Sequence, residues 1–246
     1  MEPQRTTQSR SRDLASTVLD GVRRVYCWVS DRVYRDFAWA FEPLTTTLTL
    51  GWMPRWRRAA ARSLPPSDIL DLGCGTGALL KELGPSRPGR RLVGIDLSPT
   101  MTIVARRRNP SSTIMIIRAD VRSLPFRDGS FGGAATTFPT RAVLDPSALK
   151  EAARVLRPTR VDGPPGRLVV LGIYLHSSQR RMQRLIDRLY GAPVAALHRE
   201  FIARLRAIGF VPDSPRLPAD LIEPTLDVLD QRGPDFEAVA AKEGSS

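Results

Sequence analysis

The chain has 246 residues, 42% of them hydrophobic and 25% charged, with a formal net charge of +12. That length suits one α/β domain with an appended segment, and the hydrophobic content is enough for a sizeable core. The sequence has no run of 18 apolar residues to cross a membrane and no apolar signal core in the polar stretch 1–13, and its two cysteines, Cys27 and Cys74, form neither a disulfide framework nor a metal set.

A cytoplasmic protein is therefore the default expectation, with no metal. Lysine occurs only as Lys81, Lys150 and Lys242, so nearly all the positive charge is arginine. A GC-rich coding bias accounts for the accompanying abundance of Arg, Pro and Ala. The alternatives are attraction to an anionic membrane or a lipid-like substrate, and attraction to nucleic acid. No nucleic-acid-binding module is recognisable.

Residues 1–12 read as a disordered tail. From Leu14 the apolar positions Leu14, Val18, Val22, Val25, Val29 and Val33 follow helical spacing, with Arg23, Arg24, Arg32 and Arg35 between them. Such a basic amphipathic helix packs on a domain or makes peripheral contact with a membrane. An aromatic segment containing Phe37, Trp39 and Phe41 follows, and Pro65-Pro66 breaks the chain. The expected organisation is a helical cap over 13–64, a main domain over 65–230 and a loose tail over 231–246.

The main domain opens on Ile69-Leu70-Asp71-Leu72-Gly73-Cys74-Gly75-Thr76-Gly77-Ala78-Leu79-Leu80. An apolar run, three glycines and an apolar helical pattern predict a strand, a tight turn and a helix from about Thr76 to Leu83. Unpaired N–H groups at a helix start favour an anionic or polar ligand group. The spacing is G-x-G-x-G, whereas a nicotinamide-binding turn reads G-x-G-x-x-G. A second apolar run ends at Asp96, 25 residues after Asp71, and a third ends at Asp120. An acid ending the second strand can accept from a ribose diol. One ending the third can accept from an adenine amino group, with Ile95 and Val121 sandwiching the ring. Taken singly, each acid is equally a helix cap or turn residue. Ser98 and Pro99 predict the start of the next helix, which Arg106–Arg108 close.

Three acids at three strand ends after this glycine turn resemble the class I S-adenosylmethionine-dependent methyltransferases. Asp120-Val121-Arg122-Ser123-Leu124-Pro125-Phe126-Arg127-Asp128-Gly129-Ser130-Phe131 is similar to the "D-x-x-x-L-P-F-x-D-x-S-F" stretch of the ubiquinone/menaquinone-biosynthesis C-methyltransferase-like group. Glu151-Ala152-Ala153-Arg154-Val155-Leu156-Arg157-Pro158 is similar to that group's "E-x-x-R-V-L-K-P". The resemblance spans roughly residues 35–210. It implies a Rossmann-like, doubly wound, mostly parallel seven-stranded sheet with helices on both faces, behind the N-terminal helical cap. It implies S-adenosyl-L-methionine held by Asp71, Gly73, Cys74, Gly75, Gly77, Asp96, Leu97, Met101, Asp120, Val121 and Thr137. Met101 fits core filler equally well.

Phe41-Glu42 stands where the group has "Y-D", in a segment that folds over the cofactor. Phe41, Phe138 and Arg141 are thus the candidate acceptor-binding residues, since the loop after the fourth strand faces the reacting methyl. His176, ending the fifth strand, is the candidate base, although a lone histidine is more often structural. After Ser130-Phe131 the group's "S-F-D" has an Asp, whereas this chain has Gly132-Gly133, before a weak fourth strand, Ala134–Phe138. This departure raises a rival reading, a weakened or non-enzymatic protein that keeps the fold. A nicotinamide-dependent oxidoreductase is a second rival. The expected acceptor is a small apolar or lipid-like molecule, such as a quinone precursor. Helices are expected over Pro146–Leu156 and within 177–208 around a Gly191-Ala192-Pro193 break, with a strand over Arg167–Leu175. Arg180, Arg181, Arg184 and Arg188 make one basic helical face, either solvated or binding a phosphate-bearing acceptor.

Overall fold

The structure, a computed structural model, describes residues 51–140, 142–158, 164–190, 192–213 and 223–232. The expected disordered tail, the basic helix from Leu14 and the loose C-terminal tail lie outside these residues, apart from Gln231 and Arg232.

The strands are β1 (Ile69–Leu72), β2 (Leu92–Asp96), β3 (Ile114–Arg118), β4 (Gly133–Thr137), β5 (Arg167–His176), β6 (Phe210–Pro212) and β7 (Glu223–Gln231). They make one seven-stranded sheet in the order β3-β2-β1-β4-β5-β7-β6. The first five are parallel, while β7 runs antiparallel between β5 and β6. Burial on both faces explains why β1, Ile69 to Leu72, is buried at every position instead of alternating.

Helices α1 (Met53–Ser63), α2 (Ala78–Leu83) and α3 (Pro99–Arg108) cover one face. There Trp56, Ala60, Leu79, Leu80, Leu83 and Ala105 pack on Ile69, Leu92, Val169 and Val228. Helices α4 (Pro146–Val155) and α6 (Val194–Arg206) cover the other, with Leu149, Ala152, Phe201 and Leu205 on Leu70, Val93, Val170 and Leu229. Helix α5 (Arg180–Tyr190) lies between β5 and α6 in sequence. The Rossmann-like, mostly parallel sheet with helices on both faces is thus as the sequence predicts.

Local signals act where expected. Ser98 Oγ accepts from the Met101 amide at 3.3 Å and caps α3, with Pro99 at the first helical position. Arg87 Nη2 donates to the carbonyls of Leu64 (2.8 Å) and Ala61 (3.3 Å), satisfying the carboxyl end of α1.

Glu151 and Arg154 show what the two long motifs do structurally. Glu151 Oε2 accepts from the Leu124 amide at 2.7 Å, while Arg154 donates to the carbonyls of Leu124 and Phe126 and to Asp128 Oδ1. The two side chains also pair with each other at 2.6 Å. This holds the Glu151 carboxyl below its usual range and the Arg154 guanidinium above its own. Helix α4 thereby fixes the loop after β3, and with it Asp120. Arg154→Leu should cost about 2–4 kcal/mol, since it strands two half-buried carbonyls and a carboxylate. Thermal unfolding should then begin several degrees lower, and an unchanged midpoint would show the network to be dispensable.

The fourth strand begins one residue before the prediction, and its glycines have a steric cause. The Gly132 and Gly133 amides both donate to Asp68 O at 3.2 Å, bringing the chain against the start of β1. A Cβ on Gly133 would lie 2.5 Å from Ile69 Cδ1, and one on Gly132 would collide with Ser67. Both glycines sit at the amino end of β4, opposite the carboxyl edge of the sheet. Here these glycines permit close strand packing.

Candidate functional site

The carboxyl edge of the parallel strands carries every described candidate. After β1 the backbone takes positive φ at Gly73 (69°), Gly75 (51°) and Gly77 (72°), which side chains other than glycine resist. The turn is tight at its ends. A Cβ on Gly77 would lie 2.5 Å from Asn109 Nδ2, and one on Gly73 3.1 Å from Val143 Cγ2. At Gly75 nothing lies within 4 Å, so the middle of the turn is open.

Asp96, ending β2, braces this opening. Its Oδ2 accepts from the Gly75 amide and its Oδ1 from the Ser98 amide, both at 2.9 Å. Burial raises its carboxyl pKa, and those two donors oppose the rise. Asp71 lies beneath the turn with 1% of its surface exposed. Neither of its carboxylate oxygens has a hydrogen-bond partner. Burial, reinforced by the nearby charge of Asp96 and opposed by Arg57, pushes its pKa up to about 7. Cys74 is buried beside Gly94, and burial holds its thiol well above the usual range.

Two apolar expectations change place. Ile95 is fully buried and Val121 is 6% exposed, both within the core, so they do not present two open faces for a ring. Leu97, at 56% exposure, is the apolar side chain that stands open beyond β2. Met101 is fully enclosed, in keeping with core filling. Asp120 faces its neighbour Arg122, which grips it through Nε (3.0 Å to Oδ1) and Nη2 (2.6 Å to Oδ2), drawing its pKa down to about 2.

At the end of β4, Thr137 is half-buried and Phe138 holds φ +53, unusual for a bulky residue. The Phe138 amide donates to Leu171 O at 2.6 Å, and its ring lies 6.2 Å from that of Trp56. Such strain persists only where surroundings enforce it, and it marks this strand end as a shaped wall. His176 is half-buried at the last position of β5. Phe41 and Arg141 lie outside the described residues.

Sequence reasoning missed two groups. Asn109, buried at the end of α3, donates from Nδ2 to Gly77 O (3.1 Å) and Ala105 O (2.9 Å), tying the helix to the glycine turn. An Asn before Pro110 signalled a helix end, but nothing local pointed across 32 residues. His198 of α6 meets Asp227 of β7 at 2.7 Å. Asp227 is 1% exposed, and its hydrogen bond to the ring, helped by its charge, raises the His198 pKa against the opposing effect of burial. The pair lies on the face covered by α6, where it fastens that helix to the sheet.

A family model described as "Methyltransferase domain" matches residues 70–160. The demethylmenaquinone methyltransferase of Thermus thermophilus is 37% identical over 145 residues, 56% of this chain and 63% of that protein. That of Tropheryma whipplei is 34% identical over 163 residues, 65% of this chain and 64% of that protein. The chain thus spans just under two thirds of these curated relatives. A chain from the complex of the Haloferax volcanii Trm112 methyltransferase activator with a methyltransferase superposes with TM-score 0.53 at 20% identity, covering 78% of this chain and 96% of that one. Geranyl diphosphate methyltransferase in complex with sinefungin gives 0.53 at 17% identity, over 71% and 77%. With the strand order and the glycine turn, these place the chain among proteins that carry a class I methyltransferase domain. Over residues 70–160 the chain is thus similar to the S-adenosylmethionine-dependent methyltransferases. Among the described residues no helix is long and apolar enough to cross a membrane, and no cluster of metal-ligating side chains occurs.

Proposed function

We propose that the chain transfers a methyl group from S-adenosylmethionine to a small apolar or lipid-like acceptor of the quinone-precursor type. The observation that carries the reading is the unsatisfied, buried carboxylate of Asp71 beneath an open glycine turn braced by Asp96. A buried carboxyl without partners is costly, and a cationic ligand group with N–H donors relieves it. Asp71 would face the ammonium of the cofactor and Asp96 its ribose diol. Gly73, Cys74, Gly75 and Gly77 supply backbone around its middle. Leu97 and Asp120 would border its base, beyond the enclosed Met101 and Val121.

The cofactor supplies an activated methyl on a sulfonium, so the protein's own work is orientation and exclusion of water. Thr137 and the Phe138 ring would form the wall at the end of β4, and Phe41 and Arg141, outside the described residues, are the further candidates for the acceptor. His176 is the candidate to take a proton from an acceptor that is not already an anion. The names of the curated relatives support a quinone-type acceptor. The basic N-terminal segment, as a peripheral membrane contact, would suit delivery of a lipid-like molecule.

Isothermal titration tests the reading. S-adenosylmethionine and S-adenosylhomocysteine should bind with micromolar Kd and NADH should not. Asp96→Ala should weaken both sulfur ligands at least tenfold, about 1.4 kcal/mol. No heat from either sulfur ligand would sink the reading, and NADH binding in their place would point to an oxidoreductase.

A further inference from the structure

Several arginines of the domain are already paired with carboxylates. Arg122, Arg154 and Arg167 each meet a carboxylate at 2.6–2.8 Å. Helix α5 is different. Arg180, Arg181, Arg184 and Arg188 are all exposed, and none forms an ion pair with a described residue. Spaced three, four and eight residues apart, they share one side of the helix, where like charges repel. The first turn of α5 holds no acid. Its single carboxylate, Asp187, is occupied on Oδ1 by Gln183 Nε2 (2.7 Å) and the Val194 amide (3.0 Å).

These charges border a cleft. Ser177, Ser178, Arg180, Gln183 and Arg184 line an open surface groove of about 490 Å³ just beyond the end of β5. Because β5 is parallel to β4 and β1, this is the same edge of the sheet as the glycine turn and Thr137. The loop is fixed rather than loose. Gln183 Oε1 accepts from the Ser177 amide at 2.8 Å, and Ser177 Oγ accepts from the Gln179 amide at 3.2 Å. Two guanidinium groups, the Ser178 hydroxyl and the positive end of an eleven-residue helix therefore converge on one space that no carboxylate among the described residues lines. Leu185, at 50% exposure, lies next to Arg181, Arg184 and Arg188 on the helix surface and offers an apolar border.

We propose that this cleft is a phosphoryl-binding site that holds the phosphate or diphosphate head of an amphiphile while its apolar chain runs along Leu185. Arg180 and Arg184 grip the phosphoryl oxygens, Ser178 donates to them, and the dipole of α5 adds to the attraction. The site gives an acceptor a second anchor at the functional edge, away from the methyl-transfer wall at Phe138. That role as an acceptor anchor rests on the methyltransferase reading, whereas phosphoryl binding itself does not. The head group belongs either to a soluble phosphate ester or to a lipid of an anionic bilayer, and the chemistry of recognition is shared.

The test is titration of inorganic pyrophosphate into the full chain, into R180Q/R184Q and into R62Q/R107Q, which removes two exposed arginines elsewhere. S-adenosylmethionine is titrated into all three as a check on folding and on the cofactor site. The expected result is submillimolar pyrophosphate binding to the native chain and to R62Q/R107Q. R180Q/R184Q should be at least tenfold weaker while its affinity for S-adenosylmethionine matches the native chain. Absence of pyrophosphate binding, or equal loss in both double variants, would overturn the site. Failure of S-adenosylmethionine alone would instead strike the methyltransferase reading. Co-sedimentation with phosphatidylglycerol vesicles, but not phosphatidylcholine, and release by pyrophosphate would identify a lipid head group. Pyrophosphate binding without co-sedimentation would identify a soluble ester.

Discussion

At pH 6, binding of S-adenosylmethionine should release close to one proton, and Asp71→Asn should abolish the release. With its pKa raised to about 7, Asp71 is mostly protonated at pH 6 in the free protein. An ammonium placed beside it restores the carboxylate, so the proton leaves as the ligand enters. Affinity should therefore rise about tenfold per pH unit up to pH 7 and level off above it. Titrations in two buffers of different ionisation enthalpy measure the release directly. Asp96 also has a raised pKa, and the Asp71 variant separates the two carboxyls.

The same shift acts on stability with a definite sign. A carboxyl whose folded pKa exceeds its unfolded value binds more protons when folded, so its contribution weakens as pH rises from about 4 through 7. The free protein should thus melt higher at pH 5 than at pH 8 as far as Asp71 is concerned. Asp71→Asn should flatten that difference while lowering ligand affinity at pH 8. A variant with native pH dependence would show that Asp71 is not the titrating group.

The second large effect separates two glycines of one turn. Gly77→Ala should be severely destabilising. It combines a positive φ of 72° with a Cβ 2.5 Å from Asn109 Nδ2, whose bonds to Gly77 O and Ala105 O would be disturbed. The left-handed backbone and the clash together should cost about 3–4 kcal/mol. Gly75→Ala meets nothing within 4 Å and should cost only about 1–2 kcal/mol. Its methyl nevertheless enters the open middle of the turn, so affinity for S-adenosylmethionine should drop by about a hundredfold, or roughly 2.7 kcal/mol. Chemical denaturation and ligand titration of both variants decide the matter. Equal stabilities, or full affinity in Gly75→Ala, would mean that the turn does not work this way.

What the sequence made legible was mainly what local rules govern. The first three strands, with Asp71, Asp96 and Asp120 at or just past their ends, the Ser98 cap and the Pro99 start all follow from neighbours within a few residues. The Gly191-Ala192-Pro193 stretch read as a break, and α5 and α6 do fall on either side of it. What stayed hidden depends on distant partners. Asn109 gives no sign in sequence that it holds Gly77, nor Asp227 that it meets His198. Gly132 read as a missing acid because its neighbours in sequence say nothing of Ser67. Ile95 read as a ring contact because its place at a strand end is shared by core and surface residues. The pairing of Asp120 with Arg122 is local, but Arg also suits a solvated turn, so spacing alone did not single it out.

The placing of β7 between β5 and β6 bears on how the protein is made. A ribosome releases β5 some fifty residues before the strand that must lie beside it. Until residues 223–231 emerge, the run Leu168-Val169-Val170-Leu171 remains an unprotected hydrogen-bonding margin, open to any other extended chain. Folding of this sheet is therefore completed from its last strand inward. Crowded or hurried synthesis is the condition under which that margin would find the wrong neighbour.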